Sequence, residues 1–505
     1  METITYQQYP AKPVVVGSLS ALFMKQSRFV PLHLEDDTLK IAMADPGDFY
    51  TVDALRLACN LTVEVAQGRE EDILDAIERL YGTGSQSLEM IIEEAGRDAT
   101  DISSEGMVDA DHLRDLASEA PIIRLVNRLI VNAVEVRASD IHLEPFENQF
   151  KVRYRIDGIL HDVESPPNRL KDAVVSRVKI MAKMDIAERR LPRDGRIKLK
   201  VTDREIDLRV STLPTIFGES LVMRILDREA LILDLEKLGL PDDLLPQYEE
   251  LITKPYGMIL VTGPTGSGKT TTLYTTLAKI NSPENKIITL EEPVEYQLHG
   301  INQIQVNAKI GMTFANGLRS IVRQDPDIIL VGEIRDKETA ETAIQSALTG
   351  HLLFSTLHTN DAAGAVTRLL DIGVENFLLS STLLGILAQR LVRVICPRCK
   401  RRIEPEAKLL RAMNLSPAEL SGVEFFAGAG CDECTHTGFR GRIGIFEYLP
   451  VDDDIRREIT ARSSTERIKD VAQEKGLLTL RQDGWNKVKR GFTTLSEVLR
   501  VTLEK

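Results

Sequence analysis

The segment 263–270 constrains this chain more than any other part of its sequence. It is Gly-Pro-Thr-Gly-Ser-Gly-Lys-Thr, which matches the pattern G-x-x-x-x-G-K-[ST]. The apolar run 258–261 before it suits a buried parallel strand, and a helix is predicted over 271–280. In this strand–loop–helix setting, backbone N–H groups and the helix N-terminus bind phosphate. The sequence therefore predicts an α/β ATPase of the P-loop type.

Two residues of this loop have predicted roles of their own. Lys269 would reach the β- and γ-phosphates of ATP, and the Thr270 hydroxyl would bind Mg²⁺. The predicted nucleotide-binding residues are Gly263, Pro264, Thr265, Gly266, Ser267, Gly268, Lys269, Thr270 and Thr271.

Three further apolar runs each end in polar residues. The run 286–290 leads into the acidic segment 291–295. The run 327–331 leads into the polar segment 332–335, and the run 352–357 leads into His358. Ligands of open parallel sheets bind outside the carboxyl ends of the strands. We therefore expect four side chains to converge on one edge of the sheet: Lys269, Glu295, Glu333 and His358.

The glutamates of this edge are candidates for activating water. Glu333 closes a Walker-B-like strand and is assigned to Mg²⁺ or to the attacking water. Glu295 is a second candidate for polarising water, and Glu291 and Glu292 are expected to support it. The alternative for each is a solvated loop charge.

Four arginines are placed where they could contact phosphate. Arg319 and Arg323 are spaced i, i+4 on a helix predicted over 313–324, so both face one side. Arg209 and Arg224 lie on predicted strands of the preceding domain, from which an arginine could reach the γ-phosphate of another domain or subunit. The alternative is ordinary surface or ion-paired arginine.

Two Cys-x-x-Cys pairs lie near the end of the chain. Cys396 with Cys399 and Cys431 with Cys434 are separated by 31 residues, and each pair can supply two thiolates to one tetrahedral Zn²⁺. His436 is a competing ligand, and redox pairs or unligated thiols are the alternatives. Cys59 stands alone and is predicted to be a core residue.

The total charge argues against one class of P-loop enzyme. The 505-residue chain has a net charge of −13 and a pI of about 5.3, and therefore lacks the basic character of non-specific nucleic-acid binders. A net negative charge of the whole chain does not exclude a local basic patch. We expect neither a signal peptide nor a transmembrane helix.

The remaining chain divides by composition. Residues 1–81 form a small α/β module, with strands over 39–43 and 61–66 and helices over 52–59 and 70–81. It is interpreted as a docking domain, with a structural cap as the alternative. Residues 82–110 are acidic and contain serines, which is typical of a linker.

Residues 111–236 are predicted to form a second α/β unit. It includes helices over 121–134 and 174–187 and a strand over 150–158. Residues 237–505 contain the ATPase chemistry, with a zinc-binding part at 394–442 and a helical part at 450–505.

Together these motifs resemble the secretion ATPase superfamily of type II secretion and type IV pilus assembly. The resemblance covers nearly all of 111–505 and is carried by Arg190–Arg196, the P-loop, the acidic box 291–295, the segment 327–333 and the histidine box 350–359. The four cysteines are similar to those of secretion and assembly members. The acidic box departs from the family, since Glu292 stands where Asp is usual.

The resemblance implies a PAS-like domain at 111–236, a RecA-like ATPase domain behind it, and a homohexamer that binds nucleotide between these two domains. It also implies that Arg209, Arg224, Arg319, Arg323 and Arg335 matter for activity and that His351 and His358 sense the nucleotide. Residues 1–81 would dock to the cytoplasmic domain of an inner-membrane platform protein. A polytopic platform protein and acidic phospholipid are further candidate partners, and the enzyme would be cytoplasmic and peripherally attached to the inner membrane.

Four functions compete as explanations of these motifs. The first is a motor that powers type II secretion through pseudopilus assembly, and the second is a type IV pilus extension motor. The third, a RecA-like nucleic-acid translocase, is disfavoured by the acidic pI and the single Trp. The fourth, a scaffold that binds ATP without hydrolysis, is disfavoured by the intact Lys269, Thr270 and Glu333.

Overall fold

The structure of this chain is a computed structural model. It describes residues 4, 9–10, 14, 16, 23–24, 27–35, 38–59, 61–81, 110–118, 120–201, 204–227 and 234–503. These group into two compact units, one of 1–201 with 207–225 and one of 202–206 with 226–505. Of the predicted linker 82–110, only Ala110 is among the described residues.

The first part of the first unit is a small three-stranded sheet with two helices. Its strands are ordered β1-β2-β3, with β1 antiparallel and β3 parallel to β2. The predicted strand–helix–strand–helix order is confirmed, and β1 adds a strand that was not predicted. The elements are β1 (Phe29–Glu35), β2 (Thr38–Met43), α1 (Phe49–Cys59), β3 (Thr62–Gln67) and α2 (Glu70–Tyr81).

The second part of this unit is a six-stranded sheet flanked by helices. Its order is β6-β5-β4-β9-β8-β7. The elements are α3 (Ala110–Ser118), α4 (Ala120–Glu135), β4 (Ala138–Pro145), β5 (Phe150–Ile156), β6 (Ile159–Val163), α5 (Lys171–Met181), β7 (Arg193–Val201), β8 (Arg204–Thr215) and β9 (Gly218–Asp227).

Two predicted elements of this part end early. The strand predicted over 150–158 stops at Ile156, because Asp157 and Gly158 take positive φ angles of 48° and 87° and turn the chain into β6. The helix predicted over 174–187 ends at Met181, since Lys183 has a φ of 57° that a right-handed helix excludes.

The second unit is built on a seven-stranded sheet of order β12-β11-β13-β14-β10-β15-β18. Every pairing in it is parallel except that of β15 with β18. Its first elements are α6 (Leu244–Ile252), β10 (Gly257–Thr262), α7 (Lys269–Ile280), β11 (Ile287–Glu291), β12 (Asn302–Gln305), α8 (Phe314–Ile321), β13 (Ile328–Val331), α9 (Lys337–Leu348) and β14 (Leu352–Leu357). The rest are α10 (Ala362–Asp371), α11 (Asn376–Thr382), β15 (Leu383–Ile395), β16 (Lys400–Ile403), α12 (Ala407–Met413), α13 (Pro417–Leu420), β17 (Phe425–Gly428), β18 (Phe439–Pro450), α14 (Asp453–Thr460), α15 (Thr465–Glu474), α16 (Leu480–Lys489) and α17 (Leu495–Thr502).

The central strand β10 is buried on both faces of this sheet. Met258 and Leu260 pack into the core formed with α8, α9 and α10, whereas Ile259 and Val261 pack into the core with α6 and α7. This arrangement explains why the strand is apolar without alternation. The predicted α/β class is confirmed.

No helix among the described residues combines the length and the apolar composition needed to cross a bilayer.

Candidate functional site

The phosphate loop connects β10 to α7 as the motif predicts. Gly263, Gly266 and Gly268 have φ angles of 150°, 80° and 91°. A Cβ on Gly263 would lie 2.5 Å from the carbonyl oxygen of Gln389, so only glycine fits there. The loop ends at Lys269, the first residue of α7. The first N–H groups of a helix have no intrahelical acceptor, so they can bind phosphate oxygens.

Lys269 is buried at the base of this loop. Its Nζ donates hydrogen bonds to the carbonyl oxygens of Gly263 and Pro264, at 2.7 and 3.1 Å. Burial lowers the pKa of its ammonium group to about 8, while Glu333 opposes and Arg390 reinforces that shift. The Lys269 side chain is suited to bind an anionic phosphate. Thr270, the next residue, is exposed, so its hydroxyl is accessible to a Mg²⁺ ion.

The order of the strands brings the other predicted groups to the same edge of the sheet. Strands β11, β13, β14 and β10 are consecutive parallel neighbours, so their carboxyl ends meet there. The acidic box follows β11, Glu333 follows β13, His358 follows β14, and the phosphate loop follows β10.

Glu333 is the centre of a charged network at this edge. Its Oε2 lies 3.1 Å from His358 Nε2, and its Oε1 contacts the Arg335 guanidinium. Arg335 also lies 2.9 Å from Glu292 Oε2. These carboxylates raise the pKa of Arg335. The network places one carboxylate between an imidazole and a guanidinium group, and this carboxylate can orient water or bind a metal ion through water.

The acids of the box 291–295 differ in their surroundings. Glu291 is buried, and its carboxylate accepts hydrogen bonds from the hydroxyls of Tyr274 and Thr289 and, at 3.2 Å, from Gln303 Nε2. Glu295 is half-buried, and its backbone N–H donates to the Tyr274 hydroxyl. Three donors therefore fix Glu291, whereas Glu292 faces Arg335.

Arg319 and Arg323 lie on one exposed surface. Thr313 caps α8, and a 3₁₀ turn over Val322–Gln324 continues it, so the predicted helical segment is present. Arg319 contacts Glu338 at 2.7 Å, and Arg323 donates to the Arg319 carbonyl oxygen at 2.7 Å.

Arg209 and Arg224 belong to the six-stranded sheet of the first unit. Arg209 is half-buried on β8. Arg224 is exposed on β9, and its Nε lies 3.1 Å from the Asp140 carboxylate. The positions of both on strands follow the prediction, and their roles in activity stay predictions.

His351 and His358 lie at opposite ends of β14. His351 precedes the strand and contacts the Ser346 carbonyl oxygen at 2.7 Å through Nδ1, whereas His358 follows the strand. At about 3.3 Å per residue the two histidines are about 23 Å apart. Only His358 is therefore at the edge that contains the phosphate loop.

The four cysteines meet in one cluster between β15 and β18. Their Sγ atoms all lie within 4.8 Å of one another, and three of the separations are 3.7, 3.8 and 3.9 Å. A tetrahedral site with Zn–S distances of about 2.3 Å has edges of about 3.8 Å, so the cluster fits such an ion. His436 is exposed and contacts Asp432 at 3.2 Å, so it is not part of the cluster.

Backbone N–H groups surround one of these sulfurs. The amides of Cys431 and Gly438 donate to Cys434 Sγ at 3.2 and 3.3 Å. Burial alone would raise the pKa of Cys434, but these amides, together with hydrogen bonds from the Cys431 and Cys399 thiols, outweigh it and the pKa falls to about 7. A thiolate is therefore favoured there, which is the form that binds metal.

Two residues of the site were not predicted. Gln389 and Arg390 lie on β15, and both are buried. The Thr272 hydroxyl donates to Gln389 Oε1 at 2.7 Å, and Arg390 Nη2 donates to the Asn360 carbonyl oxygen at 3.0 Å. The sequence feature that could have identified them is a pair of adjacent polar residues inside the apolar run 383–395.

Comparison with known proteins decides the family. The model of the family described as "Type II/IV secretion system protein" matches residues 115–500, and the MshEN domain matches residues 1–87. The chain belongs to the type II/IV secretion system protein family. The resemblance found in the sequence is thereby confirmed, as is the prediction of an ATP-hydrolysing enzyme.

Two curated relatives show the range of this family. The chain is 53% identical over 487 residues to the type II secretion system protein E of Xanthomonas campestris pv. campestris, covering 96% of this chain and 85% of the relative. It is 44% identical over 499 residues to the type IV pilus assembly ATPase PilB of Myxococcus xanthus, covering 98% and 88%. Both predicted functions are thus represented among relatives of this secretion ATPase.

Solved structures agree on the fold. The pilus retraction motor PilT with bound ADP has a TM-score of 0.50 at 28% identity, over 74% of this chain and 96% of PilT. The Legionella pneumophila ATPase DotB has a TM-score of 0.54 at 20% identity, over 74% and 94%, which shows the fold alone.

Proposed function

We propose that this chain is the cytoplasmic ATPase motor of a type II protein-secretion system, attached through partners to the inner membrane, where it drives pseudopilus assembly. The identity of 53% with a type II secretion system protein E, over 96% of this chain, carries the proposal. The buried Lys269 at the base of the phosphate loop and Glu333 after β13 support it, because an ATPase of this kind needs a cation for phosphate and a carboxylate for water or Mg²⁺.

Each group at the edge of the sheet has a proposed role. Residues 263–271 bind ATP, Lys269 binds its β- and γ-phosphates, and Thr270 binds Mg²⁺. Glu333 orients the attacking water, with Glu295 as a second candidate. Arg335 fixes the Glu333 carboxylate, and His358 senses the nucleotide through its contact with Glu333.

The other predicted residues act from further away. Arg319 and Arg323 present cationic groups to a neighbouring subunit, and Arg209 and Arg224 supply charge to phosphate within a homohexamer. The proposed role of His351 is to position the amino end of β14, which begins at the next residue.

The cysteine cluster is a structural zinc site in this proposal. Four sulfur ligands close the coordination shell, so the ion would stabilise 394–442 without contacting substrate. The fit of the Sγ separations to a tetrahedron supports zinc.

Residues 1–81 are the proposed docking domain for the cytoplasmic domain of an inner-membrane platform protein, and the match of 1–87 to the MshEN domain supports a separate module there. A polytopic platform protein and acidic phospholipid are the further proposed partners.

Type IV pilus extension is the second candidate function. The identity of 44% with PilB over 98% of this chain favours it. The two candidates share the ATPase chemistry and differ in the assembly that receives the force.

Complementation separates the two candidates. The chain would be expressed in a strain lacking its type II secretion system protein E and, separately, in a strain lacking PilB, with Lys269→Ala as the inactive control. Restored secretion of extracellular enzymes without restored pili is the expected result. Restored pili without secretion would favour pilus extension, and turnover of purified protein that depends on single-stranded DNA would overturn both.

A further inference from the structure

Gln389 lies directly beneath the phosphate loop. Its Oε1 accepts the hydrogen bond from Thr272 Oγ1 at 2.7 Å, and a Cβ on Gly268 would lie 2.8 Å from its Nε2. Gln389 is 2% exposed and Thr272 is fully buried. The side-chain amide therefore contacts both the last glycine of the loop and the first turn of α7.

The pairing of two strands fixes the position of Gln389. Strand β15 runs parallel to β10, with Val261 opposite Leu387 and Thr262 opposite Ala388. The next residue of β15 is Gln389, at the level where β10 becomes the phosphate loop. Its carbonyl oxygen is the atom that would lie 2.5 Å from a Cβ on Gly263.

The neighbouring residue anchors the same piece of strand from the other face. Side chains alternate along a strand, and Arg390 is directed away from Gln389. Its Nη2 donates to the backbone oxygen and to Oδ1 of Asn360, at 3.0 and 3.1 Å. Asn360 follows His358 in the loop after β14. The backbone of Gln389 is thereby held on both sides of the sheet.

Thr272 is well placed to transmit this constraint. It is the fourth residue of α7, which begins at Lys269. Fixing its side chain fixes the helical turn from which Lys269 and Thr270 project. A shift of about 1 Å in a catalytic group can lower a rate by about 100-fold, so small freedoms of this turn matter.

We propose that Gln389 is a positioning residue for ATP hydrolysis, which acts by fixing the first turn of α7 through Thr272 and Gly268. The proposal rests on the ATP hydrolysis proposed above but not on the secretion or pilus system that the enzyme serves.

A double-mutant cycle on the purified full-length chain tests this role. Gln389→Met keeps the length of the side chain and removes the acceptor, and Thr272→Val keeps the β-branched shape, with a methyl group in place of the hydroxyl, and removes the donor. Each should lower kcat for ATP about 10-fold, with KM changed less than about threefold, because ground-state binding is spread over the whole loop. The double variant should lose no more than either single variant, since both remove one interaction.

Two further variants separate positioning from packing. Thr272→Ser keeps the hydroxyl and should retain kcat within about twofold of wild type. Tyr248→Phe is the matched control, because it removes one buried hydroxyl that lies 2.8 Å from that of Thr276, one turn further along α7, and Tyr248 is itself fully buried. It should lower the melting temperature and leave kcat unchanged.

Three results would overturn the proposal: wild-type kcat in both Gln389→Met and Thr272→Val, multiplicative losses in the double variant, or an equal loss in Tyr248→Phe. If Gln389→Met does not fold, the comparison of Thr272→Val with Thr272→Ser decides the question. Lys269→Ala distinguishes a failure of the proposed ATPase function from a failure of the proposed role of Gln389. Wild-type turnover in Lys269→Ala contradicts the ATPase assignment itself, whereas an inactive Lys269→Ala beside unaffected Gln389 and Thr272 variants contradicts only this inference.

Discussion

His358 Nε2 lies 3.1 Å from Glu333 Oε2, although the two residues are 25 positions apart in the chain. They meet because β13 and β14 are adjacent parallel strands whose carboxyl ends lie side by side. Arg335 contacts the other oxygen of the same carboxylate. The Glu333 carboxylate is therefore held in one orientation from two sides.

Replacement of Glu333 by Gln should separate binding of ATP from its hydrolysis. The amide keeps the size of the side chain but lacks the charge needed to orient water, so turnover should fall at least about 100-fold. Binding of a fluorescent ATP analogue should change less than about threefold, since the phosphate loop is untouched. Wild-type turnover would contradict the assignment of Glu333 as the residue that orients water. Loss of ATP binding together with turnover would show that Glu333 binds the metal ion or stabilises the fold.

Glu291 should matter for stability more than for turnover. Its carboxylate accepts from Tyr274, Thr289 and Gln303 in a buried site, and the amide of Glu291→Gln presents an NH₂ group to one of these donors. The expected cost is about 1–3 kcal/mol, seen as a lower melting temperature of the purified protein.

Glu292→Gln is the matched control for this prediction, since it makes the same chemical change one residue later at an exposed ion pair. Its effect on stability should be below about 1 kcal/mol. Equal melting temperatures for the two variants would show that the buried contacts of Glu291 contribute little.

The phosphate loop and the groups at the edge of the sheet could be predicted because the sequence features that indicate them lie within short segments of the chain. An apolar run, a turn rich in glycine and a helix follow one another within 258–280, and each later strand ends in its own polar group. Parallel order then places these groups together, and the structure confirms that Glu333 and His358 meet.

Gln389 could not be predicted in the same way. It is 117 positions from Thr272 in the chain, and the register of β15 against β10 brings the two together. Local periodicity carries no information about which distant strand pairs with which. The separation of His351 from His358, in contrast, follows from the apolar run 352–357 between them, which is predicted as a strand from the sequence and is β14 in the structure.

The cysteine cluster should bind about one metal ion per chain. Replacing Cys396 and Cys399 by Ser removes two of the four ligands, so zinc content measured by mass spectrometry should fall to near zero and the second unit should melt at lower temperature. Cys59→Ser is the control, because Cys59 lies in the first unit, outside the cluster, and its replacement should leave the metal content unchanged. Unchanged metal after loss of Cys396 and Cys399 would contradict the site.

Glu497 should make the stability of the second unit depend on acid pH. Its carboxylate accepts from Arg393 at 2.7 Å and from Arg500 at 2.8 Å, and it is nearly fully buried. Burial alone would raise the pKa of Glu497, but the two guanidinium groups outweigh it and lower the pKa from 4.5 to about 2. Because the folded pKa lies below the unfolded one, the stabilisation is present above about pH 4.5 and is lost as the pH falls towards 2.

The measurement compares the melting temperature of wild type with that of Glu497→Gln between pH 7 and pH 3. At neutral pH the variant should be less stable by about 3 kcal/mol, and the two curves should converge as the pH falls, because a protonated Glu497 resembles the amide. Glu424→Gln, which breaks an exposed pair with Arg402, should lie within about 1 kcal/mol of wild type at every pH. Parallel curves for wild type and Glu497→Gln would mean that the carboxylate is not held in its charged form by Arg393 and Arg500.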